Sequence, residues 1–568
     1  MRFAFFCLTL LALQAQDSRN VNLPHTDTHF TPRAYATLDA WKAQRAHLQR
    51  QVLSAAGLLP YPERCALKPE IFGKLERPGY TIEKVLIQTL PGYYLGGNLY
   101  RPLGKPGKHP GILSPHGHWA YGRLEHQAAA SVPARAINLA RQGYVVFAYD
   151  MVGYNDTVQT PHVFGGPREQ LWGFGPLGLQ LWNSIRALDF LASLPDVDAA
   201  RLGATGASGG ATQIFLLTAV DDRIKVAVPV NMISSIMQGG SPCENAPGLR
   251  FDTFNVEFGA MIAPRPMLMI SASGDWTRNN LREEVPAVKK IYTLYDAEAQ
   301  LEALQIDAGH NYNLASRNAM YPFFAKHLLQ PEKPETLAEK SFPVEGLADM
   351  LALHQRTLPT GALNYPQLFA QWIAGAQKQL QPSRERLALV FGIPIVGMDT
   401  TSKVTSQTEG ELTILSREGH GDRVTGILTG ANPRVIVVHP MGATEAQRPR
   451  EAALLLTTFQ TGRSKVRRES PKRQHLTFNR SDDANRVQDI VTALAYLQAQ
   501  SPAPIELRCT DTAAIWCTFA AALSPVKVKL DAPLGTFRGT DQQYLDEFFV
   551  PGIQRAGGLS AALALLKR

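Results

Sequence analysis

From His109 onward, short runs that are apolar along their whole length alternate with helix-like stretches, and this alternation limits the possible folds more than any other feature. "PGILSPHGHW" reads as a buried strand ending in a turn, "SVPARAINLARQG" as a helix and "YVVFAYDMVGY" as another strand. The pattern continues through the helix "GLQLWNSIRALDFLASLP", the strand "RLGATGAS", the helix "GGATQIFLLTAV" and the strands "IKVAVPVNM" and "RPMLMISAS". A strand with one wet face would alternate polar and apolar residues. These do not, so both faces are covered and the sheet is mostly parallel. The predicted class is α/β, with helices on both sides of the sheet.

At 568 residues the chain is long for one domain, and two are expected. Ahead of the alternation, cap-like Thr31, Pro32 and apolar residues at helical spacing predict a helix over residues 31–58. "YTIEKVLIQTLPGYYLGGNLYRP" predicts a hairpin about Pro91-Gly92. The charged, proline-bearing "PEKPETLAEKSFPVE" reads as a linker. Beyond it the first half is weakly repeated: "YPQLFAQWIAGAQKQL" matches the opening helix, "ELTILSREGHGDRVTGILTG" the hairpin, and "PRVIVVHPMGA" the strand before "PHGHW". "VQDIVTALAYLQAQ" and "IELRCTDTAAIWCTFAAAL" continue the match, placing Thr512, Ala513 and Ala514 opposite Ser208, Gly209 and Gly210. The expected organisation is a signal peptide at 1–16, a catalytic domain at 21–332, a linker at 333–345 and a degenerate, non-catalytic copy of the first domain at 346–568.

The N-terminus "MRFAFFCLTLLALQAQDS" has Arg2, an apolar run too short to span a bilayer, and a small residue before a plausible cut. It predicts export to the periplasm or the exterior, with no transmembrane anchor. Cys7 would leave with the signal, and Cys65, Cys243, Cys509 and Cys517 are too few for a disulfide scaffold in so long a chain. The net charge of +8 is partly local: "GRSKVRRESPKR" holds six Lys or Arg against one Glu. No aromatic residues interleave with it, so it reads as a solvated basic loop and nucleic acid is not an expected partner.

The chemistry centres on Gly206-Ala207-Ser208-Gly209-Gly210, a G-x-S-x-G sequence where strand turns to helix. Small residues also suit an ordinary tight turn, and this chain has 45 glycines. Order and placement favour a nucleophile elbow. A serine hydroxyl needs a base to take its proton, and the base needs a carboxylate to hold its tautomer. Asp275 follows the buried strand "RPMLMISAS", and His310 follows "LQIDAG", so both fall on loops at strand ends in the order serine, acid, histidine. The N–H groups of Gly209 and His118 are the candidate oxyanion hole, with Gly117 letting the backbone turn and His116 read as structural. Glu244, Asn245 and Arg250 lie where substrate loops insert, and Trp119, Trp172 and Trp276 lie near strand-end loops. Trp119, Glu244, Asn245, Arg250 and Trp276 are candidate substrate contacts, although a structural loop explains the polar three about as well and core packing accounts for such tryptophans more often. The histidines form no H-E-x-x-H pattern, there is no C-x-x-C, and no phosphate-binding glycine loop follows a strand. Neither metal nor nucleotide cofactor is expected.

The segments "GASGGATQ", "VPVNMISSIMQGGSPCENAPGLR", "APRPMLMISASGDWT" and "DAGHNYN" resemble secreted bacterial α/β-hydrolases of the acetyl xylan esterase-like group, kin of the dienelactone hydrolases. The resemblance covers about residues 31–330. It implies the α/β-hydrolase fold, a Ser208, Asp275 and His310 triad, and hydrolysis of a carboxylic ester, with an acylated carbohydrate as substrate. Gly209 stands where cephalosporin-deacetylase-type esterases carry Gln and glucuronoyl esterases carry Arg, so neither specificity is carried over. The expected activity is deacylation of a polysaccharide or oligosaccharide, with glucuronoyl esterase and serine peptidase as enzymatic alternatives. A carbohydrate-binding scaffold with a dead hydrolase fold is the non-enzymatic one.

Overall fold

The computed structural model describes residues 16–329, 337–393, 403–468 and 470–567. Nearly all of the expected signal peptide, and residues 333–336 of the expected linker, therefore lie outside the described residues. In the first half the strands are β1 (Glu70–Arg77), β2 (Tyr80–Leu90), β3 (Tyr93–Pro102), β4 (His109–Leu113), the short pair β5 (His126–Gln127) and β6 (Ala130–Ser131), β7 (Val145–Tyr149), β8 (Val197–Ala207), β9 (Ile224–Val230), β10 (Met267–Ala272) and β11 (Leu301–Ile306). All but β5 and β6 join one sheet in the order β1-β2-β3-β7-β4-β8-β9-β10-β11. The ladders from β1 to β7 are antiparallel and those from β7 to β11 are parallel. Strands β7, β9 and β10 are buried on both faces except at Lys225, which is why they read as unbroken apolar runs.

The second half forms its own sheet from β12 (Val404–Glu409), β13 (Leu412–Arg417), β14 (Val424–Leu428), β15 (Val435–Val438), β16 (Ala453–Thr457), β17 (Ile505–Cys509) and β18 (Val528–Asp531). Its order, β12-β13-β14-β16-β15-β17-β18, reproduces that of the first sheet from β1 to β9. Each has an antiparallel meander of three strands. In each the later strand (β7 or β16) then stands ahead of the earlier one (β4 or β15), and parallel strands follow.

Local differences from the sequence reading have identifiable causes. The opening helix is Leu38–Ala55, capped by Thr37, whose hydroxyl accepts from the N–H of Ala40 at 3.2 Å. Thr31 is not its cap. Residues 31–36 stay outside the helix and reach across to the first domain: Arg33 donates to the carbonyl of Asp252, and the Tyr35 hydroxyl meets the Glu257 carboxylate. The described part of the linker, residues 337–345, is irregular but docked. Glu339 accepts twice from Arg317 at 2.7 Å, Glu345 accepts twice from Arg77 at 2.7 Å, and Phe342 packs on the apolar core.

A single apolar cluster runs through both halves. Trp372 from the second half donates its indole N–H to the carbonyl of Trp172 at 3.0 Å, and the Arg555 guanidinium lies 5.5 Å over its ring. Gly57 and Gly173 lie in this seam, both with positive φ (66° and 60°), and a Cβ on Gly57 would fall 2.1 Å from the Gly173 carbonyl oxygen. Among the described residues no helix is long and apolar enough to cross a membrane. Truncating a Trp in this shared core should cost about 3–5 kcal/mol. Calorimetry of Trp372→Ala should therefore show one melting transition displaced as a whole; two transitions of which one stays in place would contradict the shared core.

Candidate active site

Strand β8 lies near the middle of the first sheet and runs straight into the helix Gly209–Val220. Ser208 is the single residue between them, with φ 57° and ψ −128°. Its N–H donates to the Val230 carbonyl at 3.1 Å. A non-glycine residue so placed costs about 1–3 kcal/mol and persists only where its surroundings enforce it. The flanking glycines show that enforcement. A Cβ on Gly206 would lie 2.8 Å from the Pro115 carbonyl oxygen, one on Gly210 would meet the same atom at 2.8 Å, and one on Gly117 would lie 2.8 Å from the Ala207 oxygen. The elbow and the 115–118 loop are pressed together backbone to backbone, with no room for side chains.

Asp275 follows β10 and His310 follows β11, the neighbouring parallel strand. The Asp275 Oδ2 lies 2.8 Å from His310 Nδ1. Its Oδ1 accepts from the Thr277 N–H and hydroxyl, both at 2.6 Å. The two loops are joined directly, since the Gly274 N–H donates to the Ala308 carbonyl at 2.9 Å. The His310 ring sits between two indoles: Trp276 at 4.3 Å and Trp119, nearly parallel to it, at 5.8 Å. Trp276 is itself fixed by its N–H donating to the Asn231 carbonyl at 3.1 Å. The Asp275 side chain is 2% exposed and that of His310 is 23% exposed, so the acid is sealed while the base keeps one edge open.

Gly209 opens its helix, so its N–H is among those that helical bonding leaves free for a ligand. A Cβ there would strike the His118 ring at 2.6 Å, which puts the 115–118 loop beside that N–H. His116 is wholly buried and holds the loop. Its Nε2 accepts from the Met151 N–H at 2.9 Å, so its Nδ1 carries the proton and donates to the Gly117 carbonyl at 2.7 Å. Burial lowers its pKa to about 3, keeping the ring neutral. Arg135 braces the same loop, donating to the Ser114 hydroxyl at 2.8 Å and the Pro115 carbonyl at 2.7 Å.

Ser208 and His310 open into one cavity of about 900 Å³, which Trp119, Trp276, His118 and Glu244 also line. Of the candidate substrate contacts, Asn245 and Arg250 do not line it. Arg250 is 1% exposed, and its guanidinium is spent on Asn245 Oδ1 at 2.8 Å, Asn255 Oδ1 at 2.7 Å and the Glu244 carbonyl at 3.0 Å. Asn245 donates to the carbonyls of Gly239 and Ser241 and faces a separate cavity of about 600 Å³ at the seam between the halves. These residues fold the loop after β9 instead of meeting substrate. Glu244 lines the wall, but its Oε2 already accepts from the N–H groups of Gly240 and Ser241 at 3.0 Å. Trp172 belongs to the seam between the halves.

The basic stretch read as a solvated loop is partly something else. Its last residues, Lys472 and Arg473, line the catalytic cavity, and Lys472 Nζ lies 3.2 Å from His25 Nε2, another lining residue. The charge run was the available signal. Nothing local tied it to a site some 160 residues earlier in the chain, because only packing of the second half brings it there.

No family model matches the chain. It is 25% identical over 307 residues to "Putative hydrolase YtaP" of Bacillus subtilis (strain 168), a match that takes in 50% of this chain and 100% of that one. Among solved structures, Methylesterase BT1017 is similar with 29% identity and a TM-score of 0.51, over 62% of this chain and 77% of that chain. An acetyl xylan esterase from Paenibacillus sp. R4 is similar at 18% identity with a TM-score of 0.35, over 53% of this chain and 98% of that chain. The fold is that of the α/β-hydrolases, and the proteins it is similar to are a hydrolase and a methylesterase.

Proposed function

We propose that this chain is an exported serine esterase that cleaves a carboxylic ester on a polysaccharide or oligosaccharide, with Ser208 as nucleophile, His310 as base and Asp275 as its orienting acid. The observation that carries the reading is the 2.8 Å contact of Asp275 with His310 Nδ1, which leaves Nε2 as the basic nitrogen, in a cavity shared with a strained serine. His310 takes the Ser208 proton as the oxygen attacks the ester carbonyl. The N–H groups of Gly209 and His118 receive the oxyanion, and His310 then protonates the departing alkoxide. Water, deprotonated by the same ring, releases the acid from the acyl-enzyme.

A second reading concerns which side of the ester is the sugar. Lys472 and Arg473 put positive charge on the cavity wall. That favours a saccharide bearing carboxylates, whose esterified uronic acid supplies the acyl group while a small alcohol leaves. The methylesterase relative at 29% identity is consistent with such an ester.

The second half, in our reading, has no site of its own and serves the first. Its residue opposite Ser208, Thr512, has an ordinary helical backbone (φ −62°, ψ −22°). The left-handed residue at that corner is Asp511, with φ 49°, and a Cys509–Cys517 disulfide clamps the strand to the helix.

Ser208→Ala should reduce turnover of p-nitrophenyl acetate by roughly 10⁵–10⁶-fold, to the level expected when a triad serine is lost; equal rates in mutant and parent would remove Ser208 from the mechanism. Thr277→Val should lower kcat by about 10–100-fold with little change in KM, because the Asp275 carboxylate loses the hydroxyl that aims it. Thr277→Ser should restore most of that loss. The double variant Lys472→Ala/Arg473→Ala should lose more kcat/KM on methyl-esterified polyuronate than on acetylated xylan. Equal losses on both would leave the sugar on the alcohol side of the ester.

A further inference from the structure

Three side chains from three loops at the C-terminal ends of β4, β7 and β9 meet beside the catalytic cavity, which His118 lines. His118, His162 and Cys243 each offer one ligand atom, and all three atoms lie within 4.8 Å of one another. The Nε2 of His118 is 3.0 Å from the Cys243 Sγ, and the two imidazoles cross at 70° with centroids 5.1 Å apart. We infer that His118, His162 and Cys243 form a binding site for a zinc-class divalent cation beside the nucleophile.

The local chemistry suits such an ion. His162 Nδ1 lies 2.7 Å from the Val152 carbonyl, so that nitrogen carries the proton and Nε2 keeps its lone pair for a ligand. A backbone carbonyl on the far nitrogen is the usual way an imidazole is oriented towards a metal. The other neighbour of that Nε2 is the Ser241 hydroxyl at 3.3 Å, which can turn to accept or yield to water as the fourth ligand. Zinc bonds of about 2.0–2.1 Å to nitrogen and 2.3 Å to sulfur place tetrahedral ligand atoms roughly 3.3–3.8 Å apart. The observed spacing brackets this, so small side-chain rotations close the site.

Gln180 supplies an independent observation. It is 2% exposed, and its buried amide has no partner among the described residues apart from the Cys243 thiol it lies against. A buried amide left so carries a free-energy cost that a charged neighbour or a coordinated water would relieve. Cys243 is 2% exposed. Loading the site would form a sulfur–metal bond and release the thiol proton to solvent. One thiolate and two imidazoles form a borderline-soft set that favours zinc over magnesium or calcium. The bound ion would hold His118, whose ring already abuts Gly209, and so stiffen the loop facing Ser208. None of this depends on which ester the cavity accepts.

The purified full chain, freed of metal by chelation, should be titrated with Co²⁺. The expected result is one equivalent bound, with sulfur-to-cobalt charge-transfer absorption in the near ultraviolet that Zn²⁺ displaces. Cys243→Ser should abolish that absorption, Cys65→Ser should keep it, and His162→Gln should weaken Co²⁺ binding by more than about tenfold. Absence of the sulfur band from the parent chain, or its survival in Cys243→Ser, overturns the inference. Should Cys243→Ser lose the near-ultraviolet circular dichroism of the folded protein, His162→Gln decides: unchanged Co²⁺ affinity in that variant overturns the site.

Discussion

A serine held at φ 57° would relax if its neighbours allowed it, and much of the first domain is arranged so that they do not. The strand before it is locked between β4 and β9, the helix after it begins at once, and the 115–118 loop presses on both. Gly206, Gly210 and Gly117 are required because backbone oxygens occupy the space their side chains would take. The same contact brings the Gly209 N–H and the His118 loop to one face of the serine. Strain at one residue and placement of the candidate oxyanion donors, Gly209 and His118, thus share a single cause, the close approach of two backbones.

That approach is itself braced by buried charge. Arg123 is fully enclosed, donates to Asn98 at 2.7 Å and pairs with both Asp150 and Asp156. Burial raises the Asp150 carboxyl to about 6 even with the guanidinium beside it, which shows how dry the site is. Asp156 also accepts from the N–H groups of Ala352 and Leu353 at 2.8 Å, anchoring the segment that leads into the second half. Removing one partner of such a group would strand a charge, at a cost of about 3–5 kcal/mol. Loop support and attachment of the second half therefore depend on the same ions.

The second half keeps the strand order of the first but has lost what makes an elbow. A disulfide stands at the corner, the residue next to the helix is relaxed, and Thr510, Ala513 and Ala514 stand opposite Gly206, Gly209 and Gly210. What it retains is a surface that shares an apolar core with its counterpart and carries Lys472 and Arg473 to the other domain's cavity.

The parallel part of the sheet, the elbow and the chain order of Ser208, Asp275 and His310 were legible in the residues alone. These follow from local pattern: apolar runs must be covered on both faces, and strand ends in such a sheet converge on one edge. The sequence also carried the internal repeat, since strand order follows the spacing of apolar segments. The tertiary structure decided what depends on distance. Arg250 and Asn245 lie on the right loop, yet their side chains turn inward to satisfy buried carbonyls and amides, and only packing shows which way a polar group points. Lys472 and Arg473 joined the cavity because two halves share one core. His118, His162 and Cys243 met because three loops end at one sheet edge, a coincidence in space with no trace in spacing along the chain.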